Sequence, residues 1–248
     1  MPLRLLFLAL SSLTLTTAIG CSSSSPPTAD VSEEITGGDG PFVAAAGEVV
    51  MPAGYELVEY FATGTATAHA RGEAGLPDDG YWALERTTSA EYRTRIVVRR
   101  PTDPAMASGT VIMEWLNVSG GVDADAEYMT VSEEIIRQGH IWVGVSAQII
   151  GVEGGNVLVS TGIQDERAGI GLRGIDPERY ASLEHPGDGY AFDMFTQIAR
   201  AIRRGGAVLG GARARVLIAA GESQSAMALT TYYNGVQVEE GVFDGFFI

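Results

Sequence analysis

The amino-acid sequence predicts an α/β fold with a mainly parallel sheet and helices on both of its faces. From about residue 110, short apolar runs alternate with helix-like segments in the order strand, helix, strand, helix, strand, helix, strand. The chain is 46% hydrophobic and 19% charged, which is typical of a globular protein. Its 248 residues are sufficient for one such domain, which we place at residues 41–248.

Two strands are predicted before the alternating region. Residues 55–62 alternate strand-forming and polar residues, which favours an early antiparallel strand. Residues 92–100 form a second strand that ends at Pro101, because proline lacks the N–H that a ladder needs. Residues 64–79, between the two strands, have the composition of a loop.

The first units of the α/β pattern lie within residues 110–146. Residues 110–117 are almost continuously apolar, as in a buried central strand. A Gly-rich loop follows, and then a helix for which Asp125 is the predicted cap and Gly139 the predicted end. Residues 141–146 form the next buried strand.

The rest of the chain continues the pattern after a long interruption. Residues 148–187 are Gly-rich and lack periodicity, and long irregular segments in compact domains are often functional. Asp188 is the predicted cap of a helix with an apolar stripe at three- and four-residue spacing. The remaining elements are a strand at residues 216–220, a helix at residues 224–234 closed by Asn234 and Gly235, and a strand beginning at residue 242.

The strand at residues 216–220 and the helix after it meet at the strongest functional signal in the chain. The strand stops at Gly221, presents Ser223 and turns at once into the helix, which is the pattern of a nucleophile elbow. We therefore predict Ser223 to be a nucleophile, although Ser is also a common helix cap. Ser225 replaces the final Gly of the general pattern and is small enough to keep the turn tight.

Two backbone groups are candidates for an oxyanion hole. The N–H of the residue after the nucleophile, Gln224, is one donor in folds with such an elbow. The second is expected from the loop after the strand that ends at Asn117, and we assign it to Val118. The alternative for the Gly-rich loop at residues 119–121 is a plain turn.

The general base that a Ser nucleophile requires is not evident. In folds with this elbow an acid and then a His follow the Ser along the chain, but no His follows Ser223. We expect both groups beyond Ile248. Because the chain stops inside an apolar run, we interpret it as the N-terminal part of a larger protein or as a truncated reading frame. Glu222 fits shaping of the turn better than catalysis, and His185 would be out of order as the base.

No metal, cofactor or nucleic-acid partner is indicated. A net charge of −15 argues against nucleic acid, because phosphate binding needs clustered Lys and Arg. Acidic residues at positions 123, 125 and 127 alternate as in a calcium loop but lack its Gly and its distal Glu. One Cys and three scattered His make no zinc pattern. A G-x-G-x-x-G spacing at residues 169–174 lies in the irregular segment, where it does not indicate a nucleotide site.

The first 20 residues have the pattern of a secretory signal. Arg4 precedes a short apolar run, and small residues lead to Cys21. The sequence Ala-Ile-Gly-Cys at residues 18–21 resembles a bacterial lipobox, in which the Cys is lipidated; cleavage after Gly20 without lipidation is the alternative. Lipidation is favoured because Cys21 has no disulfide partner and begins a Ser- and Pro-rich tether at residues 21–40. We therefore expect a lipid anchor on the extracytoplasmic side of the cell envelope.

Three segments together resemble a known family. They are EWLNVSGG at residues 114–121, RYASLEHPGD at residues 179–188 and GESQSA at residues 221–226. In this order they resemble bacterial α/β-hydrolase domain proteins with a Gly-Glu-Ser-Gln-Ser-Ala elbow, over residues 45–248. The resemblance implies an α/β-hydrolase fold whose C-terminal part is missing here, and an esterase or lipase-like activity. Members of the family are usually much longer than this chain.

The function expected from these observations is that of an envelope-anchored serine hydrolase. It would cleave a small-molecule carboxylic ester through an acyl-enzyme on Ser223, and this chain alone is expected to be inactive. The alternative is a non-catalytic lipoprotein that uses the fold for binding or as a scaffold. A covalent serine probe that never labels the native protein would favour the alternative.

Overall fold

The structure is a computed structural model that describes residues 25–44, 51–73, 75–159 and 167–248. The predicted signal at residues 1–20 and the predicted lipidation site, Cys21, lie outside the described residues. Within the described ranges, no helix has the length and apolar character that crossing a membrane requires.

Six strands form one sheet in the described part of the chain. They are β1 (Tyr55–Arg71), β2 (Leu84–Pro101), β3 (Thr110–Trp115), β4 (Ile141–Val145), β5 (Val216–Ala220) and β6 (Gly245–Phe247). Their order across the sheet is β1-β2-β4-β3-β5-β6. β2 is antiparallel to β1 and β4, whereas β4, β3, β5 and β6 run parallel. The predicted mainly parallel sheet is therefore confirmed.

Helices connect the parallel strands. They are α1 (Ala126–Gln138), α2 (Ile149–Glu153), α3 (Leu172–Ile175), α4 (Pro177–Tyr180), α5 (Ala191–Arg204), α6 (Gln224–Tyr232) and α7 (Val238–Glu240). A π-helical turn at Tyr233–Gln237 joins α6 to α7. Short 3-10 turns lie at Pro104–Met106, Asp188–Tyr190 and Ala207–Leu209. α2, α3 and α4 all lie in the segment 148–187, for which no regular structure was predicted.

The two faces of the sheet bury separate clusters. Along a strand, successive side chains point to opposite faces, and in β4 Val143 joins the cluster under α5 and α6 while Trp142 joins the cluster under α1. β2 divides in the same way, with Ile96 on one face and Val97 on the other. Helices therefore cover both faces, as the sequence predicts.

The hairpin of β1 and β2 is longer than predicted. The two strands pair from Tyr55 to Arg71, with an irregularity between Thr67 and His69, so the loop predicted from residue 64 was wrong as far as residue 71. The additional part of β1 is rich in Ala and Thr, which give little hydrophobic signal. It is held against α5, where the carboxylate of Asp193 accepts the Thr67 N–H at 2.7 Å.

Order also begins earlier than the predicted start at residue 41. Ala29 and Ile35 are buried, and the backbone around them forms antiparallel bridges from Asp30 to Thr63 and from Glu34 to Tyr60. A polar segment is ordered here because it covers the free edge of β1, whose backbone groups need partners.

The helix after the elbow does not end at Gly235. The helical path continues through the π-helical turn and α7, and it ends at Gly241, which has a φ of 55°. A Cβ at Gly235 would lie 2.7 Å from Cδ1 of Leu84 and 3.3 Å from the carbonyl oxygen of Trp82. Gly235 therefore permits the hairpin to approach the helix, a role that local sequence does not distinguish from a helix end.

Neither predicted Asp cap makes the predicted bond. Asp125 is at the N-cap position of α1 but makes no capping hydrogen bond, and its carboxylate lies 2.6 Å from the guanidinium of Arg99. Asp188 accepts the N–H of Ile149 at 2.8 Å, at the start of α2. Gly139 ends α1 with a left-handed φ of 69°, as predicted.

Candidate active site

The predicted nucleophile and the predicted oxyanion loop follow two adjacent parallel strands, so both lie at the carboxyl end of the sheet. Glu114 of β3 pairs with Ala220 of β5. Asn117 and Ser223 each follow this pair by three residues, so the loops after the two strands begin side by side. Ligands of open α/β sheets bind at this carboxyl edge.

Ser223 has the backbone of a strained elbow. Its φ of 58° and ψ of −113° make it the one non-Gly residue with a positive φ among the described residues. Such a conformation costs on the order of 1–3 kcal/mol and persists only where the surroundings enforce it. The residue is exposed, and no described residue forms a hydrogen bond with its hydroxyl.

Two neighbours of Ser223 enforce this turn. A Cβ at Gly221 would lie 2.9 Å from Leu229 and 3.1 Å from Oγ of Ser225, so only Gly permits this approach of strand and helix. The buried Ser225 hydroxyl accepts the Glu222 N–H at 3.0 Å and donates to the Glu222 carbonyl oxygen at 2.8 Å. Ser225 therefore does more than fit the space of the usual Gly, because its hydroxyl closes the turn.

The loop after β3 is tied to the elbow by one side chain. The Asn117 amide donates from Nδ2 to the Glu222 carbonyl oxygen at 2.8 Å. Its Oδ1 accepts the Ser119 N–H at 2.9 Å. The loop then closes on itself, because Gly121 N–H donates to the Val118 carbonyl oxygen at 2.9 Å.

Neither predicted oxyanion donor is hydrogen-bonded within the described part of the chain. Gln224 is the first residue of α6, where backbone N–H groups have no partner within the helix. Neither its N–H nor that of Val118 donates to an acceptor in the described part of the chain. Val118 is fully buried, and an unpaired N–H is uncommon at such a position.

Described residues on both sides of the gap at residues 160–166, within the segment 148–187, contact the Val118 loop. Leu158 and Val159 donate their N–H groups to the Ser119 carbonyl oxygen at 3.0 and 2.9 Å, and the Gly169 N–H donates to Gly121. The side chains of residues 157–159 are exposed and apolar. The segment therefore places an apolar surface next to the predicted oxyanion loop.

A buried ionic network lies beneath the loop. The guanidinium of Arg95 contacts Asp123 at 2.6 Å and Glu59 at 2.8 Å, and all three side chains are fully buried. Arg179 adds a contact to Glu59 at 2.7 Å. Asp123, which alternates with Asp125 and Glu127 in the sequence, is thus half of an ion pair. In the described ranges no group of three or more His, Cys, Asp or Glu is arranged to hold a metal.

Glu114 is another buried acidic residue near the site. It accepts the N–H groups of Glu127 and Tyr128 at 2.9 and 3.0 Å and the indole N–H of Trp142 at 2.8 Å. Burial raises the pKa of Glu114 to about 8, although these three donors oppose the shift. Glu114 thus anchors the start of α1 to the central strand.

No described His or carboxylate forms the hydrogen bond to the Ser223 hydroxyl that a general base would make. His185 accepts the Gly187 N–H on Nδ1 at 3.1 Å and donates from Nε2 to the Ala147 carbonyl at 3.0 Å. Both of its nitrogens are therefore occupied, and burial lowers its pKa. His140 bonds to Ser108, and His69 lies in β1. Glu222 contributes to the turn through its backbone, while its side chain is exposed.

The comparison with protein families decides the identity of this fold. A family model described as an alpha/beta hydrolase domain matches residues 26–248. The chain belongs to the alpha/beta hydrolase domain family. The sequence predicted this membership from the segments at residues 114–121, 179–188 and 221–226. In the structure the first of these begins in β3 and the third follows β5, the parallel strand beside it.

A solved structure similar to this alpha/beta hydrolase domain is a rice cell wall degrading esterase, LipA, from Xanthomonas oryzae. The sequence identity is 14% and the TM-score 0.33; the match covers 76% of this chain and 41% of that chain. This chain therefore matches less than half the length of that esterase. No curated protein matches it.

Asn117 and Glu114 are the residues of the site that sequence reasoning missed. From the sequence, Glu114 was identified only within the segment 114–121 that resembles the family, and Asn117 only there and as the end of the strand before the predicted oxyanion loop. The signal that could have identified them is the presence of two polar residues in a buried central strand and its end, since buried polar groups need partners.

Proposed function

We propose that this alpha/beta hydrolase domain cleaves carboxylic esters through an acyl-enzyme on Ser223. The observation that carries the proposal is the exposed Ser223 in a left-handed backbone conformation, at the junction of a buried strand and a helix. A helix cap needs no such strain, because N-cap residues ordinarily adopt extended backbone.

The described residues offer candidate groups for the nucleophilic attack and for stabilisation of the oxyanion. Ser223 Oγ attacks the ester carbonyl carbon while its proton passes to a general base, and the alcohol leaves to give the acyl-enzyme. The N–H groups of Gln224 and Val118 stabilise the oxyanion, each by about 3–4 kcal/mol in the transition state. We propose that the base and its acid partner come from a part of the protein beyond the described residues. Water then hydrolyses the acyl-enzyme.

Fluorophosphonate labelling of the full-length protein tests the proposal. We expect one adduct on wild type and none on Ser223→Ala, with esterase activity lost in the same variant. Ser108→Ala is the matched control, since Ser108 lies just before β3 at the opposite edge of the sheet, and it should label as wild type. Absence of any adduct on the wild-type protein would favour the non-catalytic binding or scaffold function.

We further propose that the protein is anchored to the extracytoplasmic side of the cell envelope through a lipid on Cys21. The support is the sequence alone, with its lipobox-like residues 18–21 and the Ser- and Pro-rich residues that follow. Metabolic labelling with an alkynyl fatty acid should mark the wild-type protein and not Cys21→Ser. Equal labelling of both would exclude Cys21 as the anchor, and labelling of neither would support cleavage without lipidation.

A further inference from the structure

Among the described residues, Asn117 is the one side chain that bonds to both loops at the candidate oxyanion hole. Its Nδ2 reaches the elbow at Glu222 and its Oδ1 reaches the Val118 loop at Ser119. The residue is 8% exposed, so water competes weakly for these two bonds. No role for Asn117 follows from the Ser223 chemistry itself.

The bond to Glu222 acts on the peptide just before the nucleophile. The Glu222 carbonyl oxygen accepts from Asn117 at 2.8 Å, from the Ser225 hydroxyl at 2.8 Å and from the Ser225 N–H at 3.1 Å. Three donors on one carbonyl fix the orientation of that peptide. With Ser223 at a φ of 58° and a ψ of −113°, this orientation also determines where the Gln224 N–H points.

The bond to Ser119 acts on the other donor. An Asn side chain that accepts the N–H two residues later makes an Asx turn, which mimics a backbone turn. In this turn the intervening Val118 N–H is left without an acceptor among the described residues. Asn117 therefore leaves the Val118 N–H available while it secures the residue that follows.

We propose that Asn117 is a positioning residue that sets the separation and direction of the two oxyanion donors, the N–H groups of Gln224 and Val118. This inference rests on the proposed function. It requires the amide specifically, because one end must donate to a carbonyl and the other must accept from an N–H. A carboxylate in the same place can accept from Ser119 but repels the Glu222 carbonyl oxygen.

The test separates donor geometry from folding and from substrate binding. In the full-length protein, Asn117→Asp keeps the acceptor for Ser119 and loses the donor to Glu222. Asn117→Ser is the second variant, since a Ser hydroxyl can still accept the Ser119 N–H but is too short to reach Glu222. Tyr55→Phe is the matched control, because it also removes side-chain bonds to backbone carbonyl oxygens, those of His140 at 2.9 Å and Ile135 at 3.3 Å, away from the elbow.

We expect kcat on a p-nitrophenyl ester to fall roughly 10- to 100-fold in both Asn117 variants, with KM within about two-fold, because displacement of a group by about 1 Å costs on the order of 100-fold. This loss is smaller than the roughly 100- to 1,000-fold expected from removing a donor itself. Tyr55→Phe should keep the wild-type kcat.

A trifluoromethyl ketone provides the readout that a merely structural role would not change. Ser223 Oγ adds to its carbonyl carbon, the proton passes to the base, and the carbonyl oxygen becomes an oxyanion in the hole. We expect its inhibition constant to rise by the same factor as kcat falls, whereas that of the matching methyl ketone changes little. Equal weakening of both ketones, or a wild-type kcat in either folded Asn117 variant, would overturn the inference. If Ser223→Ala retains activity, the proposed function fails instead.

Discussion

The carboxyl group of Glu114, in the central strand β3, accepts the backbone N–H of Tyr128 in the first turn of α1 at 3.0 Å. The strand therefore caps the helix, and Asp125 at the N-cap position pairs with Arg99. Glu114 thus takes the capping role that was predicted for Asp125. Its bond joins the sheet to α1 directly behind the Val118 loop.

The stability of the protein should depend on pH through Glu114. Burial raises its folded pKa to about 8, above the roughly 4.3 of an unfolded Glu. Between these values the unfolded state has lost the proton that the folded state keeps. The contribution of Glu114 to the free energy of unfolding therefore falls as pH rises, and it is constant above pH 8.

Denaturant unfolding from pH 4.5 to 9 should show this fall in wild type and a smaller one in Glu114→Gln. Glu133→Gln, which changes an exposed carboxylate of α1, is the control. A parallel pH profile for wild type and Glu114→Gln would contradict the assignment.

Loss of the Ser225 hydroxyl should loosen the elbow. Ser225→Ala removes the bonds to the N–H and the carbonyl oxygen of Glu222, each worth about 0.5–1.5 kcal/mol net. We expect a lower free energy of unfolding and slower fluorophosphonate labelling of Ser223. Thr230→Ala is the control, since it removes an exposed hydroxyl bond within the same helix. Unchanged labelling would show that Gly221 and Asn117 are sufficient to hold the turn.

The ionic network under the loop should be costly to break. Arg95→Leu leaves Glu59 and Asp123 buried without their shared partner, and breaking a buried pair costs about 3–5 kcal/mol. Arg137→Leu is the comparison, because it breaks the exposed pair with Glu134 on α1, where the expected cost is at most about 0.5 kcal/mol. Chemical denaturation measures both. Equal losses in the two variants would mean that burial of the network contributes nothing to stability.

Gly235 should be intolerant of Ala although it lies in a helical turn. Ala is preferred to Gly by about 1 kcal/mol in an ordinary helix interior. Here the added methyl would lie 2.7 Å from Leu84, and we expect Gly235→Ala to destabilise the protein by about 1–3 kcal/mol through overpacking. In the double variant with Leu84→Ala the two losses should be less than additive. A Gly235→Ala protein that is more stable than wild type would show that the β1–β2 hairpin moves to accommodate the methyl group, which would contradict the prediction.

The sequence by itself determined the features that depend on neighbouring residues. Apolar runs of strand length, the helical stripe of α5 and the left-handed Gly139 all result from local preferences, and each lies where it was predicted. The Gly221 to Ser225 junction belongs to the same class, because small residues and a short turn are sufficient to specify it. The fold class and the position of the exposed Ser223 could therefore be predicted from the chain alone.

Only the tertiary structure decided which distant groups meet. Glu114 replaced Asp125 as the cap of α1, Gly235 proved to be a contact with Leu84, and Asn117 joined the Val118 loop to Glu222 across more than 100 residues of chain. The physical reason is that a buried polar group takes whichever partner the packed sheet brings within about 3 Å. That partner depends on strand register, which local sequence does not specify.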